Sequence, residues 1–297
     1  MDGPPEHISS KLKAIGSVFN PEVVSAVYEM YLPLLRQAPK EGVEVIKDIS
    51  YGPNERHLLD IHLPEKISDQ GAPTVVYFHG GGFVRGNKNA IENEPDIIHG
   101  NIANFFARNG IIGVNATYRL APQYKWPSGG EDVELAFKFL SESSKKYKIN
   151  KDSIFLFGQS AGSTHVSTYI FDKSFSKKTE KPAGAILFSG AYDVSLMSSG
   201  PVKEYYGADE SKYKEMSSIN YAADCNLPLF IVTSEYDPDI FKIQADELVK
   251  KFPKNNEKIL FKRLANHNHL SQVIHLNTED ETIGPDLVQF ITKYKKD

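Results

Sequence analysis

Along residues 21–37, PEVVSAVYEMYLPLLRQ, the apolar side chains Val23, Val24, Val27, Met30, Tyr31, Leu34 and Leu35 recur at helical spacing. Asn20 suits the N-cap and Pro21 the first helical position, while Pro33 should kink or shorten the helix. The period then becomes that of strands. VEVIKDIS (43–50) and HLLDIHL (57–63) flank the turn YGPNE and read as a hairpin. After the loop PEKISDQGAP, the run TVVYFH (74–79) is continuous, β-branched and aromatic, as a strand buried on both faces should be.

From there strands and helices alternate. Apolar runs IIGVNATY, SIFLFG, AGAILFSG, LPLFIVTS and KILFKRL are separated by helical patterns near 95–109, 130–147, 161–171, 239–252 and 285–295. Repeated strand-then-helix units imply right-handed crossovers, hence an α/β fold with a mostly parallel central sheet and helices on both faces. No repeat, low-complexity tract or linker divides the chain, so residues 1–297 read as a single domain. The irregular stretch 192–226 breaks the alternation, and together with residues 1–40 it is a candidate small helical cap over a pocket.

Composition narrows the function classes. The chain has 297 residues, 40% hydrophobic and 24% charged, with a formal net charge of -4. Its lysines are scattered, so neither a nucleic-acid nor an anionic membrane surface is indicated, and a small molecule is the expected partner. The single cysteine, Cys225, cannot close an intramolecular disulfide, and no secretory signal pattern or run of eighteen apolar residues occurs. These features are those of a soluble protein of a reducing compartment, such as the cytoplasm.

Two glycine-rich segments carry chemistry. Gly158-Gln159-Ser160-Ala161-Gly162 stands between an apolar strand and an amphipathic helix. The pattern G-x-S-x-G is weak alone, but a serine on a sharp strand-to-helix turn needs small neighbours and presents its Oγ above a helix N-terminus. The segment His79-Gly80-Gly81-Gly82-Phe83 follows directly on a buried strand, and bare glycine N–H groups there can meet an oxyanion. Gly81, Gly82 and the amide of Ala161 are the candidate donors. A phosphate-cradling loop would need a Gly-Lys-Ser/Thr that is missing.

HGGG followed by GQSAG, with YRLAP (118–122), WPSGGEDV (126–133), SEYDPDI and NHNHL in order, resembles the hormone-sensitive-lipase-like branch of the α/β-hydrolase superfamily. The resemblance runs from about residue 43 to the C-terminus. It implies a serine carboxylesterase acting through an acyl-enzyme, with a triad in the chain order Ser, Asp, His and with no cofactor and no metal. That family places its acid just before a proline, which maps onto Asp237-Pro238, with Glu235 and Asp239 as neighbours. Its base follows the last strand after a short turn, which maps onto His269 rather than His267.

The implied partner is a small-molecule ester, short-chain or aromatic, and the resemblance leaves room for a homodimer paired through a sheet edge. Two alternatives are kept. One is an arylformamidase or other amide hydrolase, although relatives of that kind usually carry tryptophan where this chain has Phe83. The other is a non-catalytic small-molecule receptor on the same fold, which the intact triad positions argue against. His267 and His269, two positions apart, also raise a metal pair, but a structural zinc site wants four ligands and none adjoins them in sequence. Arg119 and Trp126 read as structural, Glu131 and Asp132 as helix-start acids, and His57, His62, His99 and His165 as packed histidines, the first three without an evident partner.

Overall fold

Each of the eight apolar runs forms a strand of one sheet in the computed structural model, which describes residues 3–172, 175, 181–198 and 200–296. The strands are β1 (Val43–Ser50), β2 (Leu58–Pro64), β3 (Ala72–Phe78), β4 (Ile112–Ala116), β5 (Ile149–Gln159), β6 (Gly184–Phe188), β7 (Leu229–Tyr236) and β8 (Ile259–Asn268). Their order across the sheet is β1-β2-β4-β3-β5-β6-β7-β8. β1 pairs antiparallel with β2, as the hairpin expected from the sequence, and β2 pairs antiparallel with β4. The other neighbours, from β4 across β3 to β8, are parallel. Strand order reverses between β3 and β5, because β3 is followed in the chain by β4 on one side while β5 lies on the other. Open α/β sheets bind ligands outside the carboxyl ends of their strands at such a reversal.

The helices are α1 (Glu6–Ile15), α2 (Pro21–Gln37), α3 (His99–Arg108), α4 (Ser128–Glu142), α5 (Ser144–Tyr147), α6 (Ala161–Phe171), α7 (Gly200–Tyr206), α8 (Asp239–Val249), α9 (Ser271–Ile274) and α10 (Gly284–Tyr294). Alternate β3 residues feed two cores. Val76 and Phe78 join one with Val133 of α4, Val166 of α6 and Leu248 of α8, whereas Val75 and Tyr77 join the other with Val27 of α2, Phe106 of α3 and Phe290 of α10. Period two in the strands thus sends successive side chains to opposite helical layers. No helix among the described residues is long and apolar enough to cross a membrane.

Some expectations change. Pro33 does not shorten α2, which runs on to Gln37. Pro33 and Glu29, whose carbonyl loses its helical partner, are both exposed, and the buried Val27, Tyr31 and Leu35 hold the helix against the core. α1 was absent from the sequence pattern because only Ile8 and Leu12 bury a stripe. Buried partners also exist for the histidines: His57 Nε2 lies 3.0 Å from Asp132 Oδ1, His62 Nδ1 2.7 Å from Asn104 Oδ1, and His99 Nδ1 2.9 Å from the Asn87 carbonyl. Asp132 is therefore a buried anchor rather than a surface helix-start acid. Besides His57 it accepts the Arg119 N–H and guanidinium, each at 2.7 Å, so Arg119 braces the loop as expected.

Candidate active site

The reversal point brings the two glycine-rich segments side by side. Phe78 and Gly158, in register on β3 and β5, open directly into the HGGG loop and the serine turn. At that turn Ser160 has φ 55° and ψ -120°, in the left-handed half of backbone space that a side chain avoids. The strain is held from both sides. The Ser160 N–H donates to the Phe188 carbonyl on β6 at 2.8 Å, and α6 starts at Ala161. A Cβ on Gly162 would overlap the Phe78 carbonyl, and one on Gly158 would overlap the α6 backbone, so small residues are compulsory on both sides of the serine.

The HGGG loop is fixed by its histidine and opened by its glycines. His79 is buried, stacks on Tyr118 at 4.4 Å, and places Nδ1 2.6 Å from the Gly80 carbonyl and Nε2 3.1 Å from Thr117 Oγ1. Burial first, and then the neighbouring His99, hold its pKa well below the ordinary imidazole value, so it is a neutral strut. Gly81 and Gly82 have φ of 140° and 59°. A Cβ on Gly81 would collide with the Arg85 carbonyl, and one on Gly80 with the Gln159 side chain. No described acceptor takes a hydrogen bond from the Gly81 or Gly82 N–H, and the first N–H of a helix, that of Ala161, has no partner within the helix.

Opposite the serine stands an acid–imidazole pair. Asp237 follows β7 and is fully buried. Its Oδ1 lies 2.7 Å from His269 Nδ1, while its Oδ2 accepts the Ser234 N–H and the Ser189 hydroxyl, both at 2.7 Å. The carboxylate thus receives three donors and locks the imidazole with Nε2 as the free nitrogen. That Nε2 is buried and makes no hydrogen bond. The ring is held by Phe241, stacked at 4.3 Å, and by Phe19, edge-on at 4.7 Å. Gln159 Nε2 donates to the His269 carbonyl at 2.9 Å, tying the His269 loop to the residue before the serine.

Ser160, His269, Gly81, Gly82 and Ala161 all line one cavity of about 990 Å³. Its other walls come from Phe19, Val24 and Tyr28 of the N-terminal segment and from Met197, Pro201 and Val202 of the 192–226 segment. His267 is turned away from this cavity: its Nδ1 is 3.1 Å from Ser271 Oγ and its Nε2 3.3 Å from Asp280. His165 is buried, held down to about 4 by burial, and packs under the loop against Phe83 and Tyr205. Cys225 is half-buried, with its thiol pKa pushed up by burial, which is wrong for a nucleophile. Sequence reasoning missed Ser189, Gln159, Gln272, Phe19 and Phe241. Only Gln159 sits in a motif, at a variable position of G-x-S-x-G, and only the positive φ of Ser189, which the sequence does not display, sets another apart.

Known proteins resemble this chain in sequence and in fold. The BD-FAE family model matches residues 59–252, more than half of the chain. An arylesterase of Saccharolobus solfataricus is 29% identical over 224 residues, 69% of this chain and 70% of that one. A kynurenine formamidase of Danio rerio is 25% identical over 260 residues, 84% of this chain and 83% of its own. Among solved structures, one titled "Structure of arylesterase" superposes with a TM-score of 0.70 at 21% identity, covering 99% of this chain and 100% of that chain. The chain belongs to the BD-FAE family and has the α/β-hydrolase fold.

Proposed function

We propose that this chain is a carboxylic ester hydrolase in which Ser160 is the nucleophile, His269 the general base and Asp237 the acid that orients it. The observation that carries the reading is the 2.7 Å Asp237–His269 bond, which leaves the imidazole Nε2 unpaired at the cavity that also holds Ser160. Ser160 Oγ attacks the acyl carbon while His269 Nε2 takes its proton. The carbonyl oxygen becomes an oxyanion and accepts from the N–H groups of Gly81, Gly82 and Ala161, each such donor being worth about 10²–10³ in turnover. His269 then gives its proton to the leaving alkoxide, and water, deprotonated by the same imidazole, releases the acid. Asp237 stays ionised throughout and stabilises the imidazolium.

The two segments that wall the cavity act as the cap, and their apolar side chains favour esters with small aliphatic or aromatic groups. Purified Ser160→Ala should lose essentially all hydrolysis of p-nitrophenyl acetate and butyrate, and retained turnover would sink the reading. The likeness to a formamidase favours a second, weaker reading as an N-formyl amide hydrolase on the same triad. Relative kcat/KM for an N-formyl aromatic amine and a phenyl ester separates the two: the ester reading requires the phenyl ester to be turned over faster.

A further inference from the structure

Behind the base loop lies a second cluster that the ester chemistry does not use. His267 is the penultimate residue of β8, His275 follows α9, and Asp280 stands in the turn before α10; all three are buried. One ligand atom from each lies within 4.8 Å of the other two. His267 Nε2, His275 Nε2 and Asp280 Oδ2 are all buried atoms without a hydrogen-bond partner. Of these atoms His267 Nε2 and Asp280 Oδ2 face each other only as an ion pair, and His275 Nε2 beside them has no hydrogen-bond partner, so polar atoms of metal-binding type are gathered in one buried spot.

The outer contacts prepare these atoms as ligands. His275 Nδ1 donates to the Ser271 carbonyl at 2.6 Å, which leaves the lone pair on Nε2. His267 Nδ1 lies 3.1 Å from Ser271 Oγ, so the same tautomer is available to it. Asp280 Oδ1 is occupied by the Thr282 N–H at 3.1 Å and hydroxyl at 2.6 Å, and Oδ2 is left over. Metal-bound imidazoles commonly donate their second N–H to a carbonyl or similar group in this way. His267 Nε2 and Asp280 Oδ2 are 3.3 Å apart. Two ligands at about 2.0–2.1 Å on a tetrahedral ion are separated by roughly 3.3–3.4 Å, so the spacing fits an ion between them.

We infer that His267, His275 and Asp280 form a structural site for a divalent transition ion of the zinc class, with water in the fourth position. Two imidazoles and one carboxylate suit zinc-like ions over magnesium or calcium, which take oxygen ligands. The i, i+2 pair suggested by the sequence is not the metal pair; the fold joins His267 to a histidine eight positions on and an aspartate five beyond that. The ion would clamp β8 to the turn before α10 on the far side of the loop that carries His269. It takes no part in the ester reaction.

Purified full-length protein, stripped with a chelator and dialysed against micromolar free Zn²⁺, should retain about one equivalent by elemental analysis and melt several degrees higher than the stripped form. Co²⁺ in its place should show the visible absorption of a tetrahedral site. His275→Gln and Asp280→Asn, confirmed folded by circular dichroism, should each lose the retained ion and the rise in melting temperature. If either variant does not fold, the Co²⁺ spectrum and stoichiometry of the wild type decide. Failure of the folded wild type to retain zinc, or equal retention by both folded variants, would overturn the inference.

Discussion

Ser189→Ala removes one hydroxyl from a fully buried position that does not line the cavity. Its Oγ donates to Asp237 Oδ2 at 2.7 Å and accepts from Gln272 Nε2 at 2.9 Å. Gln272 Nε2 is not orphaned by the change, because it also donates to the His269 carbonyl at 2.9 Å. The loss therefore falls on Asp237 Oδ2, which drops from two donors to the Ser234 N–H alone. A hydrogen bond to a charged group contributes about 1.5–3 kcal/mol, and the remaining donor keeps the loss near the lower end. With about 1.4 kcal/mol per tenfold in rate, kcat for p-nitrophenyl butyrate should fall roughly tenfold at nearly unchanged KM. Ser189→Gly removes the same hydroxyl but frees a backbone held at φ 46°, so it should be equally slow yet about 1 kcal/mol more stable than the alanine variant in urea. If both variants kept wild-type kcat, or if only KM moved, Asp237 would not depend on this hydroxyl and the positioning argument would fail.

Other outcomes follow from the same contacts. Gly81→Ala must push the Arg85 carbonyl aside at a φ of 140°, and should cost at least about 10² in kcat, the worth of one oxyanion donor. Lys88 is buried and donates to Asp60 at 2.8 and 2.9 Å, so Lys88→Met leaves that buried carboxylate without its cation, with only the Asp48 N–H at 2.7 Å, and should destabilise by about 3 kcal/mol in urea titration. Adding Asp60→Leu to that variant should recover most of the loss. Burial alone would raise the Asp132 pKa, but the His57 and Arg119 bonds outweigh it and the net direction is down. A depressed carboxyl contributes stability above the ordinary carboxylate range near pH 4, lost as pH falls through its lower folded value. Asp132→Asn should thus lower stability at pH 7 and flatten the decline in urea midpoint below about pH 4.

The inner strands were legible because burial on both faces writes a continuous apolar run, while the edge strands β1 and β8 are largely exposed, and the helix α6 because its start coincides with the serine turn. The site was readable where backbone constraint dictates residue type: Gly81, Gly158 and Gly162 stand where a Cβ has no room, and such positions mark the chain locally. What escaped is the part assembled by contacts distant in sequence. Ser189 meets Asp237 from 48 positions away and Gln159 meets the His269 loop from 110, and neither serine nor glutamine announces such a role. The partners of His57 and His62, 75 and 42 positions off, were hidden for the same reason. Asp280 reads in sequence as a turn acid, although the fold buries it against two imidazoles.

The central claim, that Ser160 carries the acyl group between the two halves of the reaction, is tested most directly by trapping it. Rapid acid quench of the protein during turnover of p-nitrophenyl butyrate, followed by peptide mass spectrometry, should place one butyryl group on the peptide containing Ser160. The same experiment on His269→Ala should show little acylation. Turnover at the normal rate with Ser160 unmodified, or with the acyl group on another residue, would contradict the account.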